Sequence, residues 1–104
     1  MKRPTSLEKK FIEIFKKHDM PFEYVGNGSF LIGWKNPDFI SKDGSKICIE
    51  VCYKFFKNED YEMRRIEHFA KYGWTCLVFF EDDAENEDLI MNEINLIRNG
   101  GVLK

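Results

Sequence analysis

The chain predicts an α/β domain, a sandwich of two or three layers built in the order α-β-β-β-α-β-α. Three observations carry that reading. Apolar residues recur at helical spacing near both ends and again over residues 63–70. Short strand-like runs separated by Gly and Asn turn signals fill residues 22–55. Thr75-Cys76-Leu77-Val78-Phe79-Phe80 is a continuous apolar run, the pattern of a strand buried on both faces. A meander of strands joined through a helix to one more buried strand is a layered arrangement.

The elements follow in order. Thr5-Ser6-Leu7-Glu8 is a capping box preceded by Pro4. Leu7, Phe11, Ile14, Phe15 and His18 continue it as one face of an amphipathic helix, with Lys9, Lys10, Lys16 and Lys17 opposite. Phe22–Val25 and Phe30–Ile32 flank Gly26-Asn27-Gly28 and predict a hairpin. The second strand extends through Trp34 to Ile40, and the Asp43-Gly44 turn returns the chain along residues 46–55. Asn58 caps a second helix whose first turn carries Glu59, Asp60 and Glu62, where the helix dipole favours anions. Its apolar stripe is Met63, Ile66, Phe69 and Ala70, and Gly73 ends it. Leu89, Ile90, Ile94 and Ile97 mark a last helix, stopped by Asn99-Gly100-Gly101.

At 104 residues the chain reads as a single domain over residues 1–104. Ten Phe, four Tyr and two Trp favour a packed body over disorder, with Trp34 and Trp74 read as core. Apolar stretches fall short of the roughly 20 residues of a membrane span. The charged N-terminus lacks the apolar core of a signal peptide, so a cytoplasmic protein is expected. Cys48, Cys52 and Cys76 lie in apolar runs without Cys-x-x-Cys spacing, which suits reduced, buried thiols better than zinc ligands. Net charge is −2 but unevenly spread: residues 1–72 hold 14 Lys and Arg against 11 Asp and Glu, and residues 73–104 hold 2 against 7. A polyanion would therefore approach the N-terminal two-thirds.

The chemistry concentrates in Asn36-Pro37-Asp38-Phe39-Ile40 and Ile47-Cys48-Ile49-Glu50-Val51-Cys52. Strand alternation puts Ile47, Ile49, Val51 and Tyr53 on one side and Cys48, Glu50, Cys52 and Lys54 on the other. Glu50 then faces the neighbouring segment that carries Asp38, and two such carboxylates can supply oxygen ligands to a hard divalent cation. A Glu on a solvated strand face and an Asp in a turn are the plain alternative.

With these residues in this order, the chain resembles the restriction-endonuclease-like (PD…ExK) nucleases, and within them the very-short-patch-repair endonucleases and related intron homing endonucleases. The likeness spans residues 5–82: the helix start with Glu8, the Pro37-Asp38 element, Glu50, and Arg65-Ile66-Glu67-His68 running to Gly73-Trp74 and the final strand. It implies a mixed central sheet flanked by helices and a metal-dependent DNA endonuclease, the catalytic domain of a homing or mobile-element enzyme. Asp38, Glu50 and the carbonyl of Val51 would hold Mg²⁺ or Mn²⁺, with Glu8 reaching the site. The chain departs from the pattern at Cys52, where most of the superfamily has Lys. Lys57, or Lys54, would then contact phosphate, together with Arg65, while His68 would act as a base if it faces the cleft. Such enzymes usually add a DNA-reading module, so specificity would come from a separate domain or a homodimer. The alternative is a degenerate nuclease-fold protein that binds nucleic acid or a protein partner without cutting. A small interaction domain with Asp38 and Glu50 merely exposed is a third reading. Because two close carboxylates repel, Glu50→Gln is expected to hold or raise stability.

Overall fold

A computed structural model describes residues 3–56 and 58–100. Helix α1 (Ser6–Lys17) begins at the capping box: Thr5 Oγ1 accepts the Glu8 N–H at 3.2 Å and Glu8 Oε1 accepts the Thr5 N–H at 2.8 Å. Four strands follow, β1 (Phe22–Tyr24), β2 (Phe39–Ser41), β3 (Ile47–Cys52) and, after helix α2 (Glu59–Lys71), β4 (Thr75–Phe80); helix α3 (Glu87–Arg98) closes the chain. Their order in the sheet is the order in sequence. β1–β2 and β2–β3 are antiparallel, while β3–β4 is parallel across the α2 crossover, giving the mixed sheet.

Helices cover both faces. Leu7, Phe11, Ile14 and Phe15 of α1 and Ile90, Met91 and Ile94 of α3 pack on Phe39, Ile47, Ile49, Leu77 and Phe79. On the other face Phe69 of α2, with half-buried Ile66, packs on Ile40, Cys48 and Cys76. Alternate β3 and β4 residues feed the two cores, which is why β4 is apolar at every second position and at those between. Cys48 is as buried as Ile47 and Ile49 and Cys76 is buried too, as expected of thiols in apolar runs, whereas Cys52 at the end of β3 is only half-buried. Tyr53 lies beyond the strand and is exposed.

Residues 26–36 do not form the expected hairpin. β1 pairs instead with β2, in the register Phe22–Ser41, Glu23–Ile40 and Tyr24–Phe39. The intervening loop is closed by Asn36, whose Nδ2 donates to the carbonyls of Val25 (2.6 Å) and Phe30 (2.8 Å) and whose Oδ1 accepts the Gly28 N–H (3.1 Å). These bonds satisfy loop carbonyls that a strand ladder would otherwise have to satisfy. Trp34, read as core, is 90% exposed on this loop. Gly33 touches α2 so closely that an added Cβ would lie 2.2 Å from the Tyr72 ring, at φ +55°.

α2 starts at Asn58, whose side chain accepts the Tyr61 N–H at 3.0 Å, and ends at Gly73, φ +83°. The Gly73 and Trp74 N–H groups return to the carbonyls of Ala70 and Phe69, satisfying the last turn. Met63 and Ala70 are exposed rather than part of its stripe, because the inward side of α2 is shared between Ile66, Phe69 and the charged Arg65. Among the described residues no helix is long and apolar enough to cross a membrane.

Candidate active site

Asp38 stands just before β2 and is held from two sides. Its main-chain carbonyl accepts the Val25 N–H at 2.8 Å, and its carboxylate Oδ2 accepts the Val51 N–H at 2.9 Å. The β2–β3 ladder stops at the Phe39–Ile49 pair. The Asp38 side chain thus takes over at the next β3 position that faces β2. A strand residue projects its N–H and C=O to the same side, so the Val51 carbonyl lies on the edge that faces Asp38.

Burial pushes the Asp38 carboxyl up to about 8, and the adjacent Glu50 charge and a hydrogen bond with Glu8 push it the same way against the Val51 N–H. Those causes bring three acids together from three elements: Glu8 from α1, Asp38 from the β2 entry and Glu50 from β3. Glu8 is 5% exposed, and its Oε1 also accepts the Tyr24 hydroxyl at 3.1 Å. The Tyr24 phenol is raised to about 12 by burial, the Glu8 charge, that hydrogen bond and the Asp38 charge.

A counter-charge arrives from α2. Arg65 Nη2 donates to Glu50 Oε1 at 2.5 Å and to the Asn36 carbonyl at 2.8 Å, with both ionic side chains largely buried. Burial opposes the Arg65 charge, but the neighbouring Glu50 charge and its hydrogen bond raise its pKa overall. The guanidinium carbon lies 5.6 Å from the Tyr61 ring centre and 5.0 Å from that of Phe69. Cys52, on the Glu50 side of the strand, has a thiol pushed up to about 11 by burial and the charges of Glu50, Glu62, Asp38 and Glu81. It is a neutral packing group at neutral pH.

Of the residues singled out in the sequence, Glu8, Asp38, Glu50, Val51 and Arg65 meet here. Lys54 does not join them. It sits in a 3-10 turn (Lys54–Phe56), its N–H donates to Glu81 Oε1 at 2.7 Å and its ammonium pairs with Asp82. His68 points to the loop instead, with Nε2 2.9 Å from the Ile32 carbonyl and its ring beside Tyr72 and Phe69. Lys57 lies outside the described residues. Tyr24 and Asn36 were not singled out as site residues. Nothing local marks Tyr24, which reads as a strand aromatic, and the role of Asn36 depends on a loop that the hairpin pattern concealed.

Among the described residues no three His, Cys, Asp or Glu side chains are gathered as a metal cage. The donor set still fits a hard, hydrated cation, which binds through one or two carboxylates and keeps several waters. Asp38 and Glu50 would provide two oxygen donors, and the Val51 carbonyl would be a third. Arg65 pairs with Glu50, and the burial and crowding of Asp38 favour its protonated form, which a nearby positive charge would reverse. A surface hollow of about 320 Å³ between Lys17, His18 and residues 85–88 lies apart from these acids, and its Glu87 already pairs with Lys17 and His18.

No protein-family model and no curated protein matches the chain. Among solved structures it is similar to the catalytic domain of the homing endonuclease I-Bth0305I, at 19% identity, with a TM-score of 0.66, over 90% of this chain and 94% of that one. At that identity the likeness establishes the fold, a nuclease-like α/β core.

Proposed function

We propose that the protein is a metal-dependent DNA endonuclease domain in which Asp38 and Glu50, with the Val51 carbonyl, hold Mg²⁺ or Mn²⁺. The observation that carries this reading is the convergence of Glu8, Asp38 and Glu50 from three separate elements, on a fold shared with a homing endonuclease catalytic domain. Three acids gathered at a buried to half-buried spot would be a costly arrangement without a function. A bound divalent cation supplies counter-charge and polarises water and phosphate.

This chain's own residues then divide the work of hydrolysis. Water attacks phosphorus, a new P–O bond forms, and the bond to the leaving deoxyribose oxygen breaks. Glu8 Oε1 accepts the Thr5 N–H and the Tyr24 hydroxyl, and Glu8 also shares a hydrogen bond with Asp38; once Asp38 is ionised that bond is lost and Glu8 can receive the proton of the attacking water. The leaving oxygen takes its proton from solvent. Tyr24 keeps Glu8 in place, and the Val51 N–H does the same for Asp38.

Relaxation or linearisation of supercoiled plasmid in Mg²⁺ or Mn²⁺ tests the proposal. Asp38→Ala is expected to lose on the order of 10²-fold or more in rate, as loss of a central catalytic group does. Equal cutting by the variant and the wild type would overturn the assignment. Duplex binding without cutting under either cation would favour the non-cleaving nuclease-fold reading.

A further inference from the structure

We propose that Arg65 is a catalytic residue, supplying to the scissile phosphate the positive charge that β3 lacks at Cys52. The inference rests on the hydrolytic reading above. Position 52 follows Glu50 by two residues on the same face, and a neutral thiol there cannot contact a phosphate as an ammonium would. Lys54, one further repeat along, is tied to Asp82 on the β4 side. A fixed cation nevertheless reaches Glu50, and it comes from the helix that crosses over this face of the sheet.

The way Arg65 is held suits that task. Nη2 spends its donors on Glu50 and on the Asn36 carbonyl, two residues before Asp38. The Tyr61 and Phe69 rings fix the plane of the guanidinium. Nε is buried without a partner, whereas Nη1, also without a protein partner among the described residues, is not among the buried unpaired atoms. Nη1 is therefore the donor left for a ligand, on the group already touching Glu50. A phosphate engaged by a cation on Asp38 and Glu50 would offer a non-bridging oxygen to Nη1. Arginine's fork can keep the carboxylate on one arm while binding phosphate on the other, which a lysine ammonium does less selectively. No bond is made or broken at Arg65; it offsets charge that develops on the phosphate.

A purely structural ion pair, stapling α2 to β3, would share this geometry, so the test separates the two. Plasmid cleavage in Mn²⁺ and binding of a random-sequence 20-bp duplex across a salt series are measured on the full chain for wild type, Arg65→Gln, Arg65→Lys and the double variant Arg65→Gln/Cys52→Lys. Arg65→Gln is expected to cut about 100-fold more slowly, and its log–log salt slope to fall by about 1, the signature of one lost phosphate contact. The double variant is expected to recover at least about tenfold of the lost rate, because it returns an ammonium to the strand. Arg65→Gln that cuts within about threefold of wild type, or keeps the full salt slope, overturns the proposal. So does a double variant no faster than the single one. Should Arg65→Gln fail to fold, Arg65→Lys carries the test: it keeps the charge, so a slope reduced by about 1 in that variant overturns the proposal. If wild type cuts no DNA under either cation, the hydrolytic reading fails by itself. The slope then decides whether Arg65 binds phosphate at all.

Discussion

Asp38 shows how much a single side chain's surroundings decide. Its carboxyl is raised to about 8 in the fold, from an ordinary value of 3.8. The folded protein therefore holds a proton that the unfolded chain gives up near pH 4. The sign follows: this group contributes stability that is fully present below its unfolded value and is lost as pH rises towards 8. Urea-unfolding midpoints should fall between pH 5 and 8 in the wild type, and the fall should be shallower in Asp38→Asn. By the same linkage, cation binding at Asp38 should release protons and tighten as pH rises, which calorimetry in buffers of different ionisation heat would detect. Arg65 changes the outlook for Glu50. Repulsion between Asp38 and Glu50 is already blunted while Asp38 is protonated, so little is relieved by neutralising Glu50. Arg65 would lose its charged partner instead. Glu50→Gln should therefore destabilise, by about 1–2 kcal/mol, rather than stabilise as the carboxylate pair alone suggests. An unchanged melting temperature would argue against a stable Glu50–Arg65 pair.

At the scale of elements, the 26–36 loop and α2 behave as one unit. Three attachments join them: Arg65 to the Asn36 carbonyl, His68 to the Ile32 carbonyl, and Gly33 against the Tyr72 ring. Asn36 closes the loop on itself with three further bonds. Asn36→Ala should thus expose residues 26–35 to proteolysis and fast amide exchange while the sheet stays protected. Uniform loss of protection would mean that the loop and the sheet open together. The α1 start is a separate case. The Glu8 carboxylate that completes its capping box is also a member of the acid cluster, so cap and site share one side chain. Thr5→Ala should cost about 1 kcal/mol of stability. It should leave cleavage nearly unchanged, because the Thr5 main-chain N–H and the Tyr24 hydroxyl still hold Glu8 Oε1; thermal unfolding and plasmid cutting measured together check both.

The whole molecule is a three-layer sandwich whose sheet separates two cores of unequal size. Phe11 and Phe79 stack at 5.8 Å between ring centres in the larger one, so Phe79→Ala should cost about 3–5 kcal/mol in chemical denaturation. The acids collect where β2 begins beside the second half of β3, between α1 on one face and α2 on the other. Both layers are needed to form the site.

Much of this could be read along the chain. The helix starts at Thr5 and Asn58, the stop at Gly73 and the doubly buried β4 follow from capping chemistry and apolar periodicity, which act over a few residues. Asp38 and Glu50 were legible for the same reason, since strand alternation and the turn at residues 43–44 are local. Tertiary structure alone decided that β1 pairs with β2 rather than with residues 30–32. It also decided that Trp34 stays in solvent, and that Arg65, Glu8 and Tyr24 close around the two acids. Those outcomes depend on contacts between residues far apart in sequence, whose energies come from burial and charge pairing that no short window of sequence contains.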